Sequence, residues 1–208
     1  GASARRCGWG AGEVLLSAGR LLAVQHGPWV ILVTGPPGSG KSTTARELAR
    51  RLDAALLDQD SMTNPLVDVV ARLLGATDYD DPRLAEAVRE PRYDVLLRVA
   101  ADCVEVGRSA VLVAPYTTER RDPVAWQRVT DAVAGFGARA VLVWLRLTAA
   151  ELVSRLEGRG ASRDAAKLHD LEAYVRTVDL GAPVVPHLAV DAAQPPAQQA
   201  AAVLAALR

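Results

Sequence analysis

Lysine is nearly missing from this chain: Lys41 and Lys167 stand against 22 arginines in 208 residues. Arginine serves wherever simple positive charge is enough. A retained lysine therefore draws attention, because a compact ammonium and a planar guanidinium are not interchangeable. Cysteine is equally scarce. Cys7 and Cys103 show no metal-ligand spacing and do not form a disulfide framework, so a stapled secreted scaffold is excluded and a cytoplasmic location is the simpler expectation. Neither charge is in excess, with 24 basic and 24 acidic side chains, which argues against a polyanion as obligatory partner. Long apolar runs are absent too: none approaches the ~18–20 uninterrupted residues a membrane span needs, so no membrane association is expected. His26, His169 and His187 have no triad or metal partners in sequence and are expected to be structural.

What is present begins near the N-terminus. Arg5 and Arg6 precede a partly apolar stretch in the manner of an export signal, but Glu13 and Arg20 interrupt it. Residues 12–25 are expected to form an amphipathic helix within an N-terminal helical extension, 1–28. Residues 29–43 then read WVILVTGPPGSGKST. A short buried strand over 30–33 breaks into G-x-x-x-x-G-K-S, and an amphipathic stretch over 41–52 follows. In that setting the pattern is a P-loop. Gly35, Pro36, Pro37, Gly38, Ser39 and Gly40 form the turn whose backbone N–H groups face phosphate oxygens. Lys41 reaches the β- and γ-phosphates, Ser42 can hold Mg²⁺, and Thr43 continues the helix whose positive end meets the anion. Binding of a nucleoside triphosphate, ATP with Mg²⁺, is the expectation.

The rest of the chain alternates strands and helices. A second strand is expected over 55–60, helices over 64–74 and 82–107, and a third strand over 110–114. A helix near 124–134, a fourth strand over 140–147 and a charged helical segment from 149 to about 176 come next. A fifth strand over 184–190 and a closing helix over 197–207 complete the pattern. It predicts an α/β fold: a P-loop NTPase three-layer sandwich, with a five-stranded parallel sheet covered by helices on both faces. The length suits a single domain over 1–208, with a helical acceptor-binding region over 61–107 and an arginine-bearing lid over 155–176.

P-loop proteins differ in where their acids lie. Motor and transporter ATPases end a remote buried strand in an acid; here the third strand ends in Ala114-Pro115 and the fourth in Arg146. No N-K-x-D and no L-S-G-G-Q occurs. The acids Asp58 and Asp60 instead close the strand directly after the P-loop helix, where both can approach the γ-phosphate crevice. Three pieces then resemble the P-loop small-molecule kinases, the group of shikimate, gluconate and adenylylsulfate kinases and chloramphenicol phosphotransferase. Asp58-Gln59-Asp60 looks like their D-x-D. Val113-Ala114-Pro115-Tyr116 with Arg120 looks like the S-P-Y segment and following arginine of adenylylsulfate kinase. Arg159 with Arg163-Asp164-Ala165-Ala166-Lys167-Leu168 looks like the arginine-bearing lid. Two departures stand out: Ser61-Met62-Thr63-Asn64 occupies the place of an arginine that follows the D-x-D in adenylylsulfate kinase, and the lone Phe136 lies where it cannot sandwich an adenine. The reaction type carries over, and the acceptor does not.

The resemblance implies transfer of the γ-phosphate to a hydroxyl of a small molecule such as a sugar, a nucleoside or a hydroxylated natural product, including an antibiotic. Asp60 is the candidate base, facing the acceptor because strand alternation separates it from Asp58, which would hold Mg²⁺ together with Ser42. Lys41, Arg159 and Arg163 would stabilise the transferring phosphate. Arg155, Arg159 and Arg163 are four apart and share a helical face, and Gly158 and Gly160 loosen it for closure. Arg89, Arg92 and Tyr93, with Asp60, Tyr116 and Arg120, are the acceptor-binding candidates. The chain is expected to act as a monomer or homodimer. A polynucleotide 5′-hydroxyl kinase is the first alternative, which would need a basic channel. A non-catalytic regulatory nucleotide-binding protein is the second, which would not need paired acids and a lid.

Overall fold

A computed structural model describes residues 27–159 and 175–208. In chain order its elements are β1 (Trp29–Thr34), α1 (Lys41–Leu52), β2 (Ala55–Asp58), α2 (Gln59–Leu74), α3 (Pro82–Glu105), β3 (Ala110–Val113), α4 (Pro123–Gly135), β4 (Arg139–Arg146), α5 (Ala149–Arg159), β5 (Leu188–Asp191) and α6 (Pro196–Ala206). The five strands form one sheet in the order β2-β3-β1-β4-β5, and every pairing is parallel. β1 lies at its centre, with Val30 opposite Ala110 on one side and Ala140 on the other.

Alternation along the strands divides the core into two layers. Ile31, Val33, Val111, Val113, Val143 and Leu145 point to one face and pack on Ala45, Leu48 and Leu52 of α1 and Ala200 and Val203 of α6. Val30, Leu32, Leu112 and Leu142 point to the other, against Leu96, Ala100 and Val104 of α3 and Trp126 and Val133 of α4. Both faces of β1 are fully buried from Val30 to Thr34, as the apolar run VILV requires of a central parallel strand. The expected three-layer P-loop fold is thus the fold observed.

Boundaries differ from expectation in two informative places. The second strand stops at Asp58, not Asp60. The Asp58 carboxylate accepts from the backbone N–H groups of Asp60 (3.1 Å) and Ser61 (3.4 Å), so it caps α2, which starts at Gln59. Asn64-Pro65 is also a good helix start, because proline suits a first turn, and the sequence pattern placed the helix there. The upstream cap prevails, and Pro65 is carried inside α2. Asp60 is therefore helical, and strand alternation does not decide where it faces. The fifth strand is also shorter than expected, starting at Leu188 rather than 184. Pro186 has no N–H to give to a ladder, and Val184 N–H is instead bound to Arg120 O at 2.9 Å.

The segment after the undescribed stretch 160–174 is tied down by a buried arginine. Arg120, only 7% exposed, donates to Asp179 Oδ2 (2.7 Å) and Gly181 O (3.0 Å), and its guanidinium lies 4.9 Å from the Trp144 ring centre. Arg121 grips the same carboxylate, and this contact is the main reason the Asp179 carboxyl is held below the usual carboxylate range. Asp179→Asn should lower the unfolding free energy at neutral pH by about 2 kcal/mol, measured by urea denaturation. A depressed folded pKa contributes stability above the unfolded pKa that is lost as pH falls through the folded one. The difference between wild type and variant should therefore shrink as pH falls below the usual carboxylate range.

Candidate active site

The P-loop leaves the C-terminal end of β1 at the centre of the sheet, where the chain turns to opposite sides and a crevice opens. A side chain at Gly35 is impossible: its Cβ would lie 2.7 Å from Ser39 Oγ and 2.9 Å from Leu145 O. Gly40, with φ at 90°, is left-handed and leads into α1, where its carbonyl accepts from the N–H groups of Thr43 and Thr44, both at 3.0 Å. Lys41 opens that helix and folds its ammonium back over the loop, donating to Gly35 O and Pro36 O at 3.0 Å. The lysine that the composition singled out is thus held on the carbonyls of the phosphate-binding turn.

One turn of α1 and the end of β2 bring two hard oxygen donors together. Ser42 Oγ donates to Asp58 Oδ2 at 2.7 Å. Magnesium keeps several waters and is commonly shared between one or two protein oxygens and the substrate's phosphates. The pair fits that pattern, and among the described residues no cluster of three or more His, Cys, Asp or Glu side chains offers a self-sufficient metal site.

Asp60 lies two residues on, with its side chain 75% exposed, and accepts from Arg92 Nη2 at 2.6 Å. Arg92 reaches across from α3. Its Nε donates to Thr63 Oγ1 (2.8 Å) and its Nη2 also to Asn64 Oδ1 (2.9 Å). Thr63 and Asn64, which the resemblance marked as a departure from an expected arginine, receive one from the next helix. Sequence reading missed them, since a contact between residues 28 or 29 apart leaves no local pattern.

Beside this network α2, α3 and the loop after β3 enclose a cleft of about 450 Å³. Arg89, Arg92 and Tyr93 line it, as do Pro115 and Thr117; Tyr116 and Arg120 do not. Val67, Leu84 and Val88 give it an apolar wall. Arg89 is held at the rim by the hydroxyls of Thr117 and Thr118. Tyr93 Oη accepts from Tyr116 N–H at 3.0 Å, and burial pushes its hydroxyl up to about 12, so it keeps its proton and cannot act as a base near neutrality. Tyr116 itself is buried against the Tyr93 ring, 5.5 Å between centres, and adopts a left-handed φ of 45°, a strained conformation for an aromatic residue. Arg120 points away, into the tie with Asp179 described above.

Of the arginines assigned to a lid, Arg155 rests against the P-loop, with Nη1 donating to Gly38 O at 3.0 Å and Nη2 to Ala192 O beyond β5. Arg159 ends α5, and Arg163, Asp164 and Lys167 lie outside the described residues, as does the expected N-terminal helix.

Parallel strand order, P-loop and adjoining acids together define a P-loop kinase fold. The family model described as AAA domain matches residues 30–180, and the chain belongs to that family. Among solved structures it is similar to a Sinorhizobium meliloti gluconokinase (TM-score 0.55, 21% identity, covering 88% of this chain and 93% of that one). It is similar also to the Mycobacterium tuberculosis APS kinase in complex with AMPPNP and APS (TM-score 0.56, 19% identity, 86% and 97% covered). At those identities the likeness is one of fold. In sequence, an 85-residue stretch is 39% identical to a cytidylate kinase of Cutibacterium acnes, covering 40% of this chain and 33% of that protein. A 33-residue stretch is 52% identical to a shikimate kinase of Corynebacterium efficiens, covering 16% and 20%. The matched parts therefore span a third or less of those two relatives. No helix among the described residues is long and apolar enough to cross a membrane.

Proposed function

We propose that this protein is an ATP-dependent phosphotransferase that moves the γ-phosphate to a hydroxyl of a small molecule held in the cleft between α2 and α3. The observation that carries this is the continuity of the two sites. Ser42 meets Asp58 at 2.7 Å, and two residues later Asp60 stands exposed while bonded to Arg92, which lines the cleft. A protein that only bound nucleotide would have no use for a second acid beside an acceptor-sized cavity.

In the forward reaction a bond forms between the acceptor oxygen and the γ-phosphorus as the bond to the β–γ bridging oxygen breaks, and ADP leaves. Asp60 takes, or orients, the hydroxyl proton. Arg92 keeps that carboxylate in place from its dry side, being only 18% exposed itself. Lys41 neutralises charge on the β- and γ-phosphates, and Arg159 and Arg163 are assigned to cover the transferring group from the lid. Ser42 and Asp58 would hold Mg²⁺, which when bound shields the triphosphate charge. Arg89 and Tyr93 belong to the acceptor side. A polynucleotide acceptor fits less well: Asp80 lines the cleft, and its carboxylate disfavours a phosphate backbone there.

A coupled assay for ADP release, run over sugars, nucleosides and hydroxylated natural products, tests this directly. At least one neutral hydroxylated compound should raise ADP release about tenfold or more above the acceptor-free rate, with a product one phosphate heavier by mass spectrometry. If no member of the panel stimulates turnover while ATP still binds, the protein is a nucleotide-binding protein and not this kinase.

A further inference from the structure

β1 ends in a residue that the packing of the strand does not call for. Thr34 is fully buried and continues the row of Val30 and Leu32 that faces α3 and α4, where valine has the same shape and would serve the sheet. A hydroxyl buried in that row needs a partner. It finds one across the end of the strand: Thr34 Oγ1 donates to Pro115 O at 2.6 Å. Ala114 N–H reaches Val33 O at 3.4 Å where β1 and β3 part, and Pro115 has no N–H to carry the pairing further. The threonine hydroxyl thus adds a link where one chain turns toward Gly35 and the other toward the acceptor cleft. Branching at Cβ leaves that hydroxyl little rotational freedom.

The loop held in this way is a wall of the cleft, lined by Pro115 and Thr117. Between them Tyr116 keeps its left-handed φ of 45°, gives its N–H to Tyr93 Oη (3.0 Å) and accepts from Arg120 N–H (3.0 Å). Thr117 and Thr118 hold Arg89 of α3. Backbone strain of this kind persists where the surroundings fix it from several sides. α3 fixes the loop from one side, and Thr34 fixes it from the side of the phosphate-binding turn.

We infer that Thr34 is a positioning residue: its hydroxyl sets the cleft wall at a fixed place relative to the P-loop and so keeps the acceptor aligned with the γ-phosphate. The inference rests on the kinase function proposed above. Thr34 acts through Pro115 and touches neither substrate. Its effect on rate comes from alignment, since a misplacement of about 1 Å caused by a change remote from the chemistry can cost about 10²-fold.

Thr34→Val keeps the shape and removes the donor; Thr34→Ser keeps the donor. Amide hydrogen exchange of the full chain, followed by NMR, should speed up about 5- to 30-fold at Tyr116 and Arg120 in Thr34→Val, while Leu32 and Leu142 in the central strands keep their wild-type rates. A non-hydrolysable ATP analogue should bind within about twofold of its wild-type Kd. With the panel compound that drives the wild type fastest, kcat should fall about 10- to 100-fold. Thr34→Ser should restore both the exchange pattern and kcat. Exchange that rises equally in the central strands would make Thr34 a contributor to global stability alone and overturn the inference. So would an unchanged kcat, a loss of nucleotide affinity as large as the loss of kcat, or a serine variant that behaves like valine. Should Thr34→Val not fold, Thr34→Ala set against Thr34→Ser makes the same comparison. If no panel compound stimulates the wild type, the kinase function falls, and the exchange pattern still decides whether Thr34 holds the cleft wall to the P-loop.

Discussion

Asp60→Asn is expected to leave ATP binding near normal and to cut phosphoryl transfer by about 10²–10⁴-fold, the usual worth of a positioned general base. Asparagine keeps the shape and can still accept from Arg92 Nη2, so the α2–α3 contact survives, while the basicity is gone. Asp58→Asn should behave differently. That side chain faces Ser42 Oγ and caps α2, and asparagine is a competent cap, so the fold should hold while the Mg²⁺ requirement rises. The proposed roles follow position: one carboxylate accepts from Ser42 Oγ, and the other stands exposed and bonded to Arg92 beside the cleft. If Asp60→Asn turns over at most of the wild-type rate and Asp58→Asn is dead, the two roles are exchanged.

Lys41→Ala is expected to abolish transfer while leaving the circular dichroism spectrum and cooperative unfolding unchanged, since the bonds described above for its ammonium go to loop carbonyls and not to the packed core. Lys41→Arg should fare little better, with kcat down by at least about 10²-fold. The ammonium sits over the carbonyls of Gly35 and Pro36, both at 3.0 Å, a place sized for a compact point charge and not for a planar fork. The chain puts arginine at nearly every other basic position, so retention of lysine here already hints at the same conclusion. Near-normal turnover by the arginine variant would mean that Lys41 does not contact the transferring phosphate.

Much of the fold was legible because local chemistry and global packing agree in it. The apolar runs around Val30, Val111 and Val143 are strands because both of their faces are buried, and Asp81-Pro82 and Asp122-Pro123 each start a helix with a capping carboxylate followed by a proline. Where two local signals competed, the sequence pattern misplaced the boundary. Asp58 and Asn64 are both sound helix caps, and the bond from Ser42 helps hold Asp58 where it caps. The same shift removed the strand alternation that had separated Asp58 from Asp60. Arg120 was placed with the acceptor on resemblance, yet its partners lie 59 and 61 residues away, at Asp179 and Gly181, where no local pattern points.

By itself the sequence determined the nucleotide side of this protein. A P-loop is a contiguous device whose strand, glycine turn, lysine and helix follow one another in a dozen residues, so its chemistry is written in order along the chain. The acids after it are near enough in sequence to be read with it. The cleft proposed for the acceptor exists only in the tertiary structure, because it is assembled from α2, α3 and the loop after β3. Arg92 meets Asp60 across 32 residues, and Arg89 meets Thr117 and Thr118 across 28 and 29.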